Sequence, residues 1–362
     1  MTSPVPVAIV LPDLGGGGAQ RVMLTLAGGL DPARFAVRLI VIGGSQVFAG
    51  QVPRGIAIEN LGAGRLLAGL PRLIRTLRRL QPRIVVSVMG YLNLSLLAVR
   101  PMLGRDVQVV IREANVLSAT EDALPAWLPT RRLYRMLYPR AAAIVAPTKD
   151  IAEGIVREAP PTICRVTTLQ NPVDESGLRK SVAPFARTAG SGLILVAAGR
   201  LTKQKGFDRL IAMMPSLPPD TRLTIFGEGP DRAALEAQIE SLSLRDRVTL
   251  PGFSAALPAA IAGADLFVLP SRWEGLPNVV LEALALGTPV VASEEAAVSE
   301  IAASAAPGAV TVVPCDNRFA GVLARHRTAP SALPRPSLLP PAYRAEEVTR
   351  RFTDLLAGVA AT

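Results

Sequence analysis

The stretch Ser271-Arg272-Trp273-Glu274-Gly275-Leu276-Pro277-Asn278-Val279-Val280-Leu281-Glu282-Ala283 decides the fold. An apolar run at 266–269 precedes it and reads as a strand. Pro277 suits the first turn of a helix over 277–286, Gly287 closes that helix, and Pro289 opens a further strand over 289–292. Strand, helix and strand in such quick succession form the repeating unit of a parallel sheet. Glu274 falls in the turn before the helix. Glu282 follows eight residues on, about 80° around a helix and roughly 12 Å along it if both were helical. Two carboxylates at one helix end suit the hydroxyls of a long polyhydroxy ligand, and the N–H groups of the helix start suit its phosphate. Glu282 also reads as an ordinary surface residue, although Val280, Leu281, Ala283 and Leu284 leave it no obvious solvent face.

The same alternation runs outward in both directions. Strand-like runs fall at 5–11, 35–42, 84–88, 107–111 and 143–146, and again at 193–198, 223–226 and 248–250. Helical patterns fall at 20–30, 70–80, 206–214, 231–241 and 255–262. That order predicts an α/β protein with parallel sheets covered on both faces, and 362 residues are enough for two such units. The segment 181–192, with Pro184, Gly190 and Gly192, reads as a linker. The expected organisation is a doubly wound domain over 1–180, the linker, a second doubly wound domain over 193–341, and a last helix over 343–356 within 342–362.

Hydrophobic residues make up 49% of the chain and charged residues 19%, which excludes a disordered protein. The two cysteines, Cys164 and Cys315, build no disulfide framework and read as free thiols in a reducing compartment. No run reaches the roughly 18 apolar residues of a membrane span. The first basic residue is Arg21, so no signal peptide is expected. The net charge of +10 lies entirely in one half: residues 1–180 hold 22 Lys and Arg against 12 Asp and Glu, whereas residues 181–362 balance at 17 each. Such asymmetry points to an anionic partner. Aromatics at 4% and the absence of nucleic-acid-binding motifs speak against nucleic acid, leaving a membrane surface or a phosphate-bearing substrate.

Two further segments carry chemistry. The loop Gly15-Gly16-Gly17-Gly18-Ala19 follows a strand and opens a helix, where backbone N–H groups approach an anion. It is not the dinucleotide fingerprint, because Gln20 or Arg21 stands where the third glycine belongs, and a plain flexible turn is the alternative. The segment Gly199-Arg200-Leu201-Thr202-Lys203-Gln204-Lys205-Gly206-Phe207-Asp208 begins at the carboxyl end of a strand and runs into a helix. Arg200 and Lys205 suit a diphosphate there, one as a bidentate fork and the other as a point charge. A solvated basic turn explains the spacing equally well.

Together these residues resemble the family 4 (GT4) retaining glycosyltransferases of the GT-B fold. The family pattern S-x-x-E-G-x-P-x-x-x-x-E-A-x-A-x-G-x-P-V-V is matched over 271–291, and its GR-L…KG-F segment over 199–207. Its F-G-x-G-P turn stands as Phe226-Gly227-Glu228-Gly229-Pro230 and its N-P-V-D at 171–174. The resemblance runs over about residues 5–315. It implies two Rossmann-like domains facing across a cleft, with the C-terminal helix returning to the N-terminal domain. It also implies that Arg200 and Lys205 bind the donor diphosphate and stabilise it as leaving group. By the same resemblance Glu282 binds the ribose, and Glu274, with N–H groups around Gly275, Leu276 and Asn278, holds sugar and phosphate. Gly227 joins the donor-binding set, and Gly17 and Gly18 approach the donor from the other domain. Two cations and a helix N-terminus neutralise a diphosphate without help, and no Asp-x-Asp occurs, so neither metal nor cofactor is expected.

The chain departs from the family in carrying Gln20 where a Glu is frequent and in lacking an N-domain histidine. Its one histidine, His326, is expected at the surface. In Arg112-Glu113-Ala114-Asn115, Glu113 and Asn115 are the acceptor-side candidates, with a structural ion pair as the alternative for Glu113. The implied reaction moves a sugar, with retention, from a UDP- or GDP-linked donor to a polyprenyl-phosphate-linked or saccharide acceptor in bacterial surface-polysaccharide synthesis. No carboxylate stands out as a covalent nucleophile, so front-face displacement is expected. A nucleotide-sugar epimerase is disfavoured by the missing histidine. A non-catalytic nucleotide-sugar-binding protein is disfavoured by the paired carboxylates and cations. The expected location is cytoplasmic, at the inner face of the plasma membrane. On a helical wheel Leu73, Ile74, Leu77 and Leu80 share an arc of about 120°, and Arg72, Arg75, Arg78 and Arg79 share another. The alternative is that the apolar arc packs on the sheet. A second basic run at 131–138 brings Tyr134 and Tyr138, aromatics suited to a membrane interface.

Overall fold

The structure, a computed structural model, describes residues 3–15, 17–45, 49–115, 129–182, 185–186, 192–326, 332–333 and 335–362. They fall into two compact units, Met1–Pro172 with Ala345–Thr362, and Val173–Arg344. The first unit is built on seven strands: β1 (Val5–Leu11), β2 (Phe35–Val41), β3 (Ala57–Asn60), β4 (Ile84–Val88), β5 (Gln108–Arg112), β6 (Ala143–Ala146) and β7 (Val166–Thr168). They pair in parallel in the order β3-β2-β1-β4-β5-β6-β7. Its helices include α1 (Gly18–Gly29), α2 (Leu66–Leu80), α3 (Gly90–Val99), α4 (Thr130–Leu137) and α5 (Lys149–Glu158). Successive side chains of β1 alternate between two cores. Ala8 and Val10 pack with Leu73 and Leu77 of α2, and Val7, Ile9 and Leu11 pack with Val22, Met23 and Leu26 of α1.

The second unit opens with α6 (Glu175–Lys180) and a short strand β8 (Phe185–Ala186). It continues as β9 (Ile194–Ala198), α7 (Phe207–Met213), β10 (Arg222–Phe226), α8 (Arg232–Ser241), β11 (Val248–Gly252), α9 (Leu257–Gly263) and β12 (Leu266–Leu269). After these come α10 (Asn278–Ala285), β13 (Val290–Ser293), α11 (Ser299–Ser304), β14 (Val310–Val313) and α12 (Asn317–Arg325). A six-stranded parallel sheet runs β11-β10-β9-β12-β13-β14, while β8 pairs antiparallel with β15 (Ala332–Leu333). Both parallel sheets reverse direction of growth beside their first strand, between β1 and β4 and between β9 and β12. Open α/β sheets bind ligands at such crevices, outside the carboxyl ends of the strands.

The last helix, α13 (Ala345–Ala360), belongs to the first unit, as the resemblance implies. Val348, Phe352, Leu356 and Val359 close the core formed by β1 and α1.

Several expectations shift. The division between units falls at Pro172/Val173 rather than within 181–192. Hydrogen bonds hold the earlier residues to the second unit: Val173 N–H donates to Tyr343 O at 2.9 Å, and Arg179 donates to Ala285 O and Arg335 O, both at 2.8 Å. Helix α2 begins at Leu66, not 70, although Pro71 lies inside it. The proline removes one N–H near the helix start, where Leu67, the residue four earlier, is 78% exposed. The apolar arc of α2 packs on the sheet, Leu73 and Leu77 being buried, while Arg72, Arg75, Arg78 and Arg79 are exposed. Tyr134 and Tyr138 are not interfacial aromatics. Both are fully buried, edge to face with ring centroids 4.8 Å apart, because α4 turns that side toward the core. His326 is half-buried rather than a surface residue, and burial lowers its pKa. Among the described residues, no helix is long and apolar enough to cross a membrane.

Candidate active site

In the second unit, the loops after β9 and β12 meet at the switch point. Gly206 makes this approach possible. It has φ +67, and a β-carbon there would stand 2.1 Å from Pro270 O. Three further bonds lock the two loops. The Arg272 N–H donates to Gln204 O at 2.7 Å, Arg272 Nη1 to Lys203 O at 2.8 Å, and Arg209 Nη2 to Pro270 O at 2.5 Å. Arg272 also grips Asp208 through two guanidinium nitrogens at 2.8 and 2.6 Å, which holds the Asp208 carboxyl below its ordinary pKa.

This scaffold brings Lys205 and Glu274 together. Lys205 Nζ lies 2.6 Å from Glu274 Oε1, and Ser271 Oγ donates to the same oxygen at 2.7 Å. Gln204 Nε2 donates to Trp273 O at 3.0 Å and reaches Glu274 Oε2 at 3.4 Å. Ser293 Oγ, at the end of β13, donates to Ser271 O at 2.5 Å and so fixes the turn that carries the serine. The Glu274 carboxylate is thus buried but fully paired, as a buried charge must be. The Lys205 ammonium carries three donors, so its bond to Glu274 leaves capacity for a further acceptor. Arg200 lies five residues earlier on the same loop and is exposed.

Glu274 is followed almost directly by α10, whose first residue is Asn278 and whose N-cap is Pro277. The positive end of the helix dipole therefore lies beside the Lys205–Glu274 pair. Asn278 and Glu282 are four residues apart on α10, hence on one face, and Glu282 is half-buried. Gly275 and Leu276 are buried, and the Leu276 side chain packs in the core, so only its backbone is available to a ligand. Gly227, at φ +132, presses against the same loop from β10. The Gly199 N–H donates to Phe226 O at 2.9 Å.

In the first unit, Glu113 makes no ion pair among the described residues, unlike the structural alternative given above. Its carboxyl is 1% exposed, and Oε1 accepts from Tyr138 Oη and from Asn93 Nδ2, the latter at 2.8 Å. Asn93 Oδ1 in turn accepts from Ser87 Oγ at 2.7 Å. Burial pushes the Glu113 pKa up to about 7 against the pull of these two bonds. Asn115 is half-buried beyond the end of β5. Arg112 turns inward and donates to Leu169 O at 3.1 Å and to Asn171 Oδ1 at 2.6 Å, which gives the first residue of the N-P-V-D stretch a structural task. Gly17 caps α1 and Gly18 is its first residue.

Ser271 and Gln204 are site residues to which the sequence reading assigned no role. Ser271, three residues before Glu274 in a turn, was legible as its partner. Gln204 was not, because its bond depends on the approach of two loops distant in sequence.

Comparison with known proteins identifies the family. Residues 16–176 match the family model described as Glycosyltransferase Family 4, and residues 185–325 match Glycosyl transferases group 1. An N-acetylgalactosaminyltransferase of Campylobacter jejuni, named for an undecaprenol-diphosphate-linked acceptor, is 27% identical over 303 residues, 80% of either chain. The lipopolysaccharide core biosynthesis glycosyltransferase LpsD of Rhizobium meliloti is 36% identical over 114 residues, 30% of this chain and 33% of LpsD. The crystal structure of HepE from Anabaena, in complex with UDP and glucose, superposes with a TM-score of 0.76 at 16% identity, covering 98% of this chain and 100% of HepE.

Proposed function

Since the chain belongs to the family 4 glycosyltransferases with the GT-B fold, we propose that it transfers a sugar, with retention and without a metal, from a UDP- or GDP-linked donor to a lipid-linked or saccharide acceptor. The observation that carries this reading is the Lys205–Glu274–Ser271 cluster at the β9/β12 switch point, set beside the start of α10. Lys205, Arg200 and the helix dipole supply positive charge where the diphosphate gains negative charge as it leaves. Preorganised charge of this kind is the largest single contribution in many enzymes. Glu274 orients Lys205 and receives hydroxyls of the transferred sugar. Glu282, one turn inside α10, takes the ribose hydroxyls.

In the proposed step the bond from the anomeric carbon to the diphosphate oxygen breaks, and the bond to the acceptor oxygen forms on the same face. The acceptor proton passes to the leaving phosphate, so the protein need supply no nucleophile. A lipid-linked acceptor accords with the Campylobacter relative's name and with the charge of the first unit. Four exposed arginines of α2, together with Arg131, Arg132 and Arg135 on α4, lie near the exposed Leu67 and Met136 in sequence. At about 1 kcal/mol per basic residue such a surface binds anionic lipid without inserting.

The test is release of free nucleoside diphosphate from a panel of UDP-, GDP- and ADP-sugars. Release that requires an acceptor supports the reading. Interconversion of the sugar without release identifies an epimerase, and binding without turnover identifies a binding protein.

A further inference from the structure

Strand β3 joins β2 late. Their register begins with Arg38 against Ala57, so Phe35–Val37, the first three residues of β2, have no strand on that side. The open edge lies at the amino ends of β1 and β2, the opposite end of the sheet from the β1/β4 crevice. The loop before β3 bends across this edge instead of pairing with it. Gly28, near the end of α1, admits Pro53, since a β-carbon there would stand 2.8 Å from Pro53 Cγ, and Gly55, at φ +84, turns the chain back. Between the loop, the strand edge and the end of α2 lies a cavity of about 590 Å³. That volume is in the range of small-molecule sites.

The lining is of two kinds. Leu30, Val37, Ile56 and Leu80, with alanines, glycines, prolines and Phe35, form an apolar body. The other lining side chains are Arg38 and Arg54, both exposed. Among the described residues, no lining side chain is acidic and none accepts a hydrogen bond. A cation therefore finds no counter-charge here, and a saccharide finds no side chain to accept from its hydroxyls. Neither guanidinium makes a hydrogen bond or an ion pair with a described residue. Glu59, on which Arg38 acts through space, is already held by Arg79 Nη2 at 2.6 Å and by Thr76 Oγ1 at 3.1 Å. An arginine offers a planar fork that matches a carboxylate, while its stem lies along apolar surface.

We infer that this cavity binds a long-chain carboxylate as a monomer, its chain over Leu30, Val37, Ile56 and Leu80 and its head at Arg38 and Arg54. The site does not depend on the sugar-transfer reading, because it lies at the other end of the sheet and its test needs neither donor nor turnover. It also differs from adsorption to a bilayer. The arginines of α2 and α4 respond to the charge density of a surface, whereas the cavity responds to the length of a single chain.

Titration calorimetry on the full chain uses octanoate, decanoate and dodecanoate below their micelle concentrations, with decanol and decyltrimethylammonium as neutral and cationic counterparts. Each added pair of methylenes tightens carboxylate binding by about tenfold. Decanol binds about fivefold or more weaker than decanoate, and the cation shows no saturable binding. Arg38→Ala and Arg54→Ala each weaken decanoate by about fivefold and leave decanol unchanged. Methyl NMR of the isoleucine-, leucine- and valine-labelled chain shifts the Ile56 and Leu80 signals when decanoate is added. Four results would each overturn the inference: no saturable decanoate binding, equal affinity for decanoate and decanol, decanoate affinity untouched by both arginine variants, or methyl shifts confined to other residues.

Discussion

A β-carbon on Gly227 would stand 2.0 Å from the carbonyl oxygen of Gly199. The two glycines end adjacent parallel strands, and the loop that carries Arg200 and Lys205 leans on that contact. Gly227→Ala therefore has nowhere to go, and φ +132 is closed to alanine as well. The variant should lose about 1–3 kcal/mol of stability and bind nucleoside diphosphates more weakly. Thermal unfolding with and without UDP or GDP measures both effects, and an unchanged melting temperature would contradict the packing described.

Arg200 and Lys205 should separate in their consequences. Both alanine variants should lose turnover by about 10²-fold or more. Only Lys205→Ala should also lose stability, by about 1.5–3 kcal/mol, because it strands the buried Glu274 carboxylate, whereas Arg200 is exposed. Glu282→Ala should raise the donor Kd more than it lowers turnover. Steady-state kinetics beside melting curves checks the set, and full turnover in both cation variants would move the diphosphate elsewhere.

The pH dependence of stability should show Glu113. Burial raises its pKa to about 7 in the folded chain from 4.5 in the unfolded one. The native state therefore holds the proton more tightly. Below pH 4.5 the group contributes no difference, and between about 4.5 and 7 its contribution turns increasingly unfavourable as pH rises. The full swing is on the order of 3 kcal/mol. Glu113→Gln preserves an acceptor for Tyr138 and Asn93 and should flatten that slope. Denaturant titrations across the window decide it, and a variant that keeps the wild-type slope would refute this role.

On the proposed reading, in which Arg200, Lys205 and the start of α10 supply the positive charge at the diphosphate, chelation should leave the reaction rate nearly intact. Loss of activity in EDTA, restored by magnesium or manganese, would require a different clamp.

Flotation with anionic liposomes should carry the protein upward at low salt and fail at high salt, because exposed arginines act over a Debye length of about 10 Å at moderate ionic strength. Equal, negligible binding to neutral and anionic vesicles would favour a soluble acceptor.

What was legible in the sequence follows from physics that is local. The pattern over 271–291 announces strand, turn and helix through proline, glycine and apolar period, and the structure reproduces it to within a residue or two. Helix α3 escaped notice because Leu92, Leu94, Leu96, Leu97 and Val99 are all buried, so no polar face marks its period. The burial of Glu113 escaped for a different reason: its partners Asn93 and Tyr138 lie 20 and 25 residues away. Tyr134 and Tyr138 misled, since a basic run with aromatics looks the same whether the rings face lipid or core. The boundary at Pro172 was hidden because α6 reads as a continuation of the first unit until its bonds to Ala285 and Arg335 are seen.

Helix α13 also sets a timetable for synthesis. The ribosome delivers all seven strands of the first unit early, but the face under Val7, Ile9 and Met23 stays open until Val348, Phe352 and Leu356 arrive. At about 5–20 residues per second, the intervening 173–344 take on the order of ten to thirty seconds to emerge. That interval is spent making the second unit, while the first waits with an apolar sheet face uncovered. The nascent chain is therefore most in need of a chaperone before its last turn of helix leaves the exit tunnel.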